Sequence, residues 1–295
     1  MAHPIFIVDA FAMKPFGGNP AAVVLLDEDA MDPSDAYLLA VAREMNLSET
    51  AFIAPRPGDL HGHFGLRWFT PVREVDLCGH ATLASAQVLY DNGKVDLHTP
   101  LIFHTRSGLL EARPFVGEPG SFAESHRGGV GVKLMFPADA ARPSNLPHGM
   151  LDAMGLPLTD IIFTGRGEKE RQFDYLIEVG SEDVVRNLKP DFKQTASLMS
   201  GESRGVIVSA VGTGEYDVVS RFFLPTYGIN EDPVTGSAHT LIGPYFSKKI
   251  GKETLRCQQA SARGGEMLVT IGGRTVELAG RAVTVVRGQL AIEKV

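Results

Sequence analysis

Arg67-Trp68-Phe69-Thr70-Pro71-Val72-Arg73-Glu74-Val75-Asp76-Leu77-Cys78-Gly79-His80-Ala81 leads into an Ala- and Leu-rich run that continues to Tyr90. A second stretch repeats its plan. Arg221-Phe222-Phe223-Leu224-Pro225 is followed by Glu231-Asp232, then by Gly236-Ser237-Ala238 and an apolar run to Lys249. In each copy a basic-aromatic strand reaches a proline, two acids follow, and a Gly-polar-Ala step opens a helix. The second copy is three residues longer between the proline and the glycine. Duplication of one unit predicts two related α+β domains, each a sheet wrapped around a single central helix.

The rest of the chain reads as short strands punctuated by Gly and Pro. Ile5–Val8 and Ala21–Leu26 flank a turn at Phe16-Gly17-Gly18-Asn19-Pro20, and Asp32-Pro33-Ser34 opens a helix to about Met45. Glu49–Ala54 and Gly65–Phe69 read as strands, and Leu101–Arg106 with Leu109–Pro114 as a hairpin. The polar, Gly-rich residues 116–130 are the boundary candidate. Beyond them Gly131–Phe136, Phe173–Val179, Val206–Ser209 and Tyr216–Phe223 alternate as strands, as do Glu266–Ile271, Arg274–Leu278, Ala282–Val286 and Gln289–Glu293 near the end.

The chain has 295 residues, a size that suits two domains, and its 28 basic against 35 acidic residues give a net charge of −7. Such a chain is repelled at long range by nucleic acid and by anionic membrane surfaces, so neither is expected as a partner. Two cysteines, Cys78 and Cys257, cannot build a disulfide framework. Neither a signal peptide nor a membrane-length apolar run is read, so a cytoplasmic location is expected.

Six features could carry chemistry. Two helix openings, Gly79-His80-Ala81 and Gly236-Ser237-Ala238, would present unpaired N–H groups and a partial positive charge, and glycine lets a ligand approach the backbone. Together they suit a carboxylate; singly, each is also what any turn before a core helix looks like. Glu49, in Asn46-Leu47-Ser48-Glu49-Thr50-Ala51-Phe52-Ile53, enters an apolar strand where desolvation would suit it to proton transfer. It reads equally as a solvated strand start or a partner of Arg43. Asp232 lies four residues before the second helix opening and serves either substrate or a helix cap. His80 suits a neutral hydrogen-bonding role. A Cys78–His80 nucleophile pair is not expected, since residues i and i+2 rarely face each other at a strand-to-helix turn. Cys78 is either a thiol activated at a helix N-terminus or a small core residue. Arg263-Gly264-Gly265 suits anion contact or a hairpin turn, while Arg127-Gly128-Gly129 reads as linker and His61 and His63 as a polar turn.

Gly212-Thr213-Gly214 lacks the third glycine of a dinucleotide fingerprint, and neither a Walker A lysine nor zinc spacing is found. No metal site and no bound cofactor are expected.

The motifs jointly resemble the PhzF-like isomerase family of phenazine biosynthesis, which shares the diaminopimelate epimerase fold. The matching pieces run in family order: Asp9-Ala10-Phe11 through Gly18-Asn19-Pro20-Ala21, Met45 through Phe52, Phe69-Thr70-Pro71 with Cys78-Gly79-His80-Ala81-Thr82, Glu231 through His239, and Arg263-Gly264-Gly265. The resemblance implies two pseudo-symmetric domains, 1–118 and 129–281, with a strand from about 282–295 returning to the first and an active site in the cleft between them. It implies cofactor-independent movement of a proton between carbons of a small carboxylate, with Glu49 moving the proton and His80, Asp232 and Ser237 holding and polarising substrate. Binding is then shared by Cys78, Gly79, Ala81, Gly236, Ser237, Ala238 and Arg263, and a homodimer is the family-level expectation. Cys78 resembles the first thiol of the two-cysteine epimerases, and Thr235 stands at the second position. An amino-acid racemase using Cys78 with Glu49, and a non-catalytic carboxylate binder, are the competing readings.

Overall fold

The computed structural model describes residues 3–27, 33–56, 60–115, 131–168, 172–199, 201 and 203–291. The boundary candidate 116–130, Arg127-Gly128-Gly129 and Asp32 lie outside the described residues. The chain divides into two compact units, one of Met1–Met135 with Ala279–Val295, the other of Phe136–Leu278.

In the first unit the helix Gly79–Asp91 is buried at every residue from His80 to Tyr90. Mostly small and apolar, it is enclosed by the strands His3–Ala10, Asn19–Leu25, Glu49–Pro55 and Ala282–Leu290. The C-terminal residues expected as two strands form one, Ala282–Leu290, which pairs antiparallel with the whole of His3–Ala10. A register shift between Ile7 and Val8 leaves Val285 as the extra residue of a bulge. A second helix, Asp35–Met45, starts at an Ser34 cap that accepts from the Tyr37 N–H. Its face Leu38, Val41 and Ala42 packs on Phe52 and Val24.

That packing fixes where Glu49 points. Alternate side chains of a strand face opposite ways. With Phe52 turned to the helix Asp35–Met45, the set Glu49, Ala51 and Ile53 turns to the helix Gly79–Asp91. The entry to this strand is equally determined. Asn46 ends the preceding helix in the left-handed region at φ 48°, Ser48 donates to Asn19 Oδ1 at 3.2 Å, and Glu49 then pairs beside Ala21. Gly18 explains the turn before Asn19. Its φ is +62°, and a Cβ there would sit 2.1 Å from the Ala10 carbonyl oxygen.

The second unit repeats the design around the helix Gly236–Ile250. In the strand Phe173–Val179, Tyr175, Ile177 and Val179 face one apolar cluster with Val206 and Val208. The opposite face presents Glu178 to the helix, where Tyr245 Oη donates to it at 2.7 Å and Lys249 Nζ at 2.5 Å. Pro244 lies inside the helix and has no N–H to give the Thr240 carbonyl. The Asp139 N–H takes that place at 3.0 Å.

The sequence echo has a physical counterpart. Arg67 grips Glu74 through Nε and Nη2, both at 2.8 Å, and lies over the Phe69 ring at 5.0 Å. Arg221 grips Glu231 through the same two atoms at 2.7 and 2.8 Å and lies over Phe223 at 5.0 Å. Strand alternation puts each arginine on the same face as the aromatic two residues on, and a short returning strand supplies the acid. The first acid of each sequence pair is therefore structural. His63 departs from the polar-turn expectation: it begins the strand His63–Phe69, and its Nδ1 meets His104 Nε2 at 3.0 Å across a parallel pairing.

Arg221 also donates to the Leu188 carbonyl at 2.7 Å, and its side chain is 12% exposed. Arg221→Met should cost about 3 kcal/mol in urea unfolding, because it strands a largely shielded carboxylate. Arg67→Met should cost less, because Glu74 keeps the Arg106 guanidinium at 2.8 Å.

Candidate active site

Cys78 caps the helix Gly79–Asp91 in an extended conformation, φ −146° and ψ 107°, and makes no side-chain cap. The first N–H groups, from Gly79, His80 and Ala81, thus lack both intrahelical acceptors and a capping oxygen. The extended cap followed at once by helix folds the Cys78 side chain back over the first turn. Its Sγ comes 3.5 Å from His80 Nδ1. This corrects the expectation that the two would not face each other. The other ring nitrogen, Nε2, lies 3.2 Å from Glu49 Oε2, within reach but off the line of an aligned hydrogen bond. Contacts of this kind commonly tighten only when substrate binds.

Glu49 is neither a solvated strand start nor the partner of Arg43. Its side chain is 18% exposed, and Arg43 Nε donates instead to the Pro71 carbonyl at 2.9 Å. Burial pushes the His80 imidazole down to about 4, so it is neutral at neutral pH even with a carboxylate beside it. Ligand atoms of Glu49, Cys78 and His80 lie within 4.8 Å of one another. The imidazole meets the thiol through one ring nitrogen and the carboxylate through the other, so the three groups form a chain.

The second unit holds Asp232, Gly236, Ser237, Ala238 and Arg263. Thr235, and not Ser237, is the cap of the helix Gly236–Ile250, again extended at φ −119° and ψ 100° and without a side-chain cap. Ser237 is the second helical residue. The Thr235 hydroxyl donates to Asp232 Oδ2, which ties the two candidates at positions 232 and 235 together. Arg263 sits in the turn joining Gln259 to Gly265, where Gly264 takes a φ of +64° and its N–H meets Ser261 Oγ at 3.1 Å. Arg263 also lines a pocket of about 340 Å³ with Phe192, Asn230, Glu231, Pro233, Ser261 and Ala262. The hairpin and ligand-facing readings of this turn are thus compatible.

Two residues of this group, Gln259 and Arg204, have no signal in the linear sequence. Gln259, 1% exposed, accepts from the Thr235 N–H at 2.8 Å and donates to the Asp232 carbonyl at 2.7 Å, which pins the loop before the helix. Arg204 donates to Ser237 Oγ at 2.9 Å and is held by a two-point grip on Asp174. Burial alone would lower the Arg204 pKa, but the Asp174 carboxylate outweighs it and holds the guanidinium above its ordinary value. Because Arg204 can only donate, Ser237 accepts from it and keeps its own hydroxyl proton for another acceptor. Cys257 is fully buried, and its thiol is pushed up by burial, which makes it a core residue.

Residues 8–288 match the model of the phenazine biosynthesis-like protein family. The chain belongs to that family. An uncharacterized isomerase of Halalkalibacterium halodurans is 40% identical over 294 residues, covering 99% of this chain and 100% of that protein. The crystal structure of a phenazine biosynthesis protein of the PhzF family from Enterococcus faecalis aligns with a TM-score of 0.83 at 35% identity, covering 99% of this chain and 100% of that one. A probable proline racemase from Agrobacterium radiobacter aligns with a TM-score of 0.61 at 12% identity over 99% of this chain and 93% of its own, a likeness of fold alone. The chain is therefore an isomerase of the phenazine biosynthesis-like family with the diaminopimelate epimerase-like α+β fold. No helix among the described residues is long and apolar enough to cross a membrane.

His239 is the second buried imidazole, at the first turn of its own helix. Its Nδ1 donates to the Thr235 carbonyl at 2.8 Å, yet burial still pushes it down to about 4. A histidine depressed in this way takes up its proton more readily in the unfolded chain. Stability should fall as pH drops below the ordinary value of 6.5 and keep falling to about 4. Each such histidine adds a slope of about 1.4 kcal/mol per pH unit in this window. Urea unfolding of His239→Gln between pH 6.5 and 4.5 should show a slope shallower by that amount.

Proposed function

We propose that the chain moves a proton between two carbons of a small carboxylate, with Glu49 as the base that removes it and the acid that returns it. The observation that carries this reading is the shielded Glu49 carboxylate 3.2 Å from an imidazole that burial keeps neutral. A protonated histidine there would form a tight ion pair and blunt the base. A neutral one can donate a single hydrogen bond and leave the carboxylate free to accept a proton.

Charge develops on the substrate as the C–H proton leaves, and uncapped helix ends are suited to meet it. The N–H groups of Gly79, His80 and Ala81, at the helix opening that holds His80 beside Glu49, are the candidates for holding a carboxylate or an enolate-like oxygen, and those of Gly236, Ser237 and Ala238 offer a second uncapped helix end suited to an anion. A preorganised donor of this kind contributes about 3–4 kcal/mol to the transition state. The Ser237 hydroxyl, accepting from Arg204, keeps its proton for an anion at that second helix end. Within the second unit, Asp232, Arg263 and the pocket beside Arg263 are assigned to binding polar groups of a small carboxylate. Every part in this scheme is a residue of the chain.

A two-thiol racemase fits less well. Thr235 occupies the cap position that Cys78 has in the other unit, and its hydroxyl is already given to Asp232. No second thiol stands there to act as acid.

Incubation with a panel of amino acids, hydroxy acids and cyclic dienyl carboxylates in deuterated water, followed by NMR, tests the reading. Wild type should place deuterium on carbon in one member of the panel, and Glu49→Gln should slow that exchange by about 10²–10⁴-fold while ligand-induced thermal stabilisation is kept. Undiminished exchange in the variant would remove Glu49 from the role. Stabilisation of the wild type without exchange would favour a binder.

A further inference from the structure

Cys78 has no task in the proton transfer just described, yet it ends the chain that begins at Glu49. Its Sγ is 3.5 Å from Nδ1 of an imidazole whose Nε2 is 3.2 Å from the Glu49 carboxylate. Both Cys78 and His80 are buried.

A neutral imidazole carries one N–H and one lone pair, so its tautomer decides what it can do for each neighbour. An ionised carboxylate only accepts. For His80 to support an ionised Glu49, its proton must be on Nε2. Nδ1 is then a buried lone pair that needs a donor. The thiol is the group in place to supply one.

The opposite tautomer would put Nδ1–H against the sulfur and aim the Nε2 lone pair at a negatively charged oxygen. That arrangement is repulsive unless Glu49 is protonated.

We propose that Cys78 is a positioning residue of this site: its S–H donates to His80 Nδ1 and thereby fixes the imidazole as an Nε2–H donor facing Glu49. No bond to sulfur forms or breaks in this role. Its consequence is that Cys78 acts through the imidazole and not as a nucleophile or as a second base. The inference rests on the reading of Glu49 as the base only for its purpose. The tautomer itself is measured without substrate, so it can fail while that reading stands, and the reverse.

The test uses the intact protein carrying ¹⁵N-labelled histidine, with His80 assigned by difference against His80→Asn. At neutral pH the ring nitrogens should report Nε2 protonated and Nδ1 bare. Cys78→Ala should lose that preference, giving a mixed or reversed tautomer. Cys78→Ser, which restores an O–H donor, should recover it. In the infrared, the S–H stretch that vanishes in Cys78→Ala should lie at lower wavenumber in wild type than in His80→Asn. Cys257→Ser removes the only other thiol from the spectrum. Protonated Nδ1 in wild type would overturn the proposal. An unchanged Nε2–H tautomer in Cys78→Ala would overturn it too, since Glu49 alone would then suffice to hold the ring.

Discussion

Burial of His80 at the first turn of the helix Gly79–Asp91 is the constraint from which the rest of the candidate site follows. A helix enclosed along its length leaves its second residue only 7% exposed, and the cost of charging an imidazole there pushes its pKa down to about 4. Neutrality then sets the terms for both neighbours. Glu49 faces a hydrogen-bond donor in place of a full positive charge, and Cys78 faces a nitrogen that wants a proton. The strand register that turns Glu49 inward is set by Phe52 packing on the opposite side, so the pair depends on core packing as much as on local chemistry.

The second unit solves a related problem with different parts. Its helix opening also lacks a side-chain cap. Charge enters through Arg204, whose guanidinium is tied to Asp174 and reaches Ser237. The loop before the helix is held by Gln259. The shared element is the arginine-acid grip, Arg67 on Glu74 and Arg221 on Glu231, which anchors the strand running toward each opening. The two units thus share the frame and differ at the cap position, Cys78 in one and Thr235 in the other.

Much of this was legible in the sequence because it is local. The Arg-aromatic-Pro strands, the acidic pair and the Gly-polar-Ala openings repeat in order, and strand alternation turns that order into the observed grips. Asn46-Leu47-Ser48-Glu49 reads as a helix end entering an apolar strand, and it is one. The Cys78–His80 contact was not legible, because it depends on the cap residue's backbone angles, which no residue spacing reveals. Arg204 and Gln259 were hidden for a different reason. They lie 33 and 24 residues from the groups they hold, and a single arginine or glutamine in a strand carries no pattern. His63 was misread since two histidines around a glycine resemble a turn, while its partner His104 lies 41 residues on.

The direct test of the account is the titration of His80 itself, followed by ¹H–¹⁵N NMR of the imidazole from pH 8 down to the onset of acid unfolding. The account predicts a neutral ring throughout, with protonation beginning only near pH 4. A ring that titrates near its ordinary 6.5, or that is already charged at pH 7 beside Glu49, would contradict it and would recast the site as an ion pair.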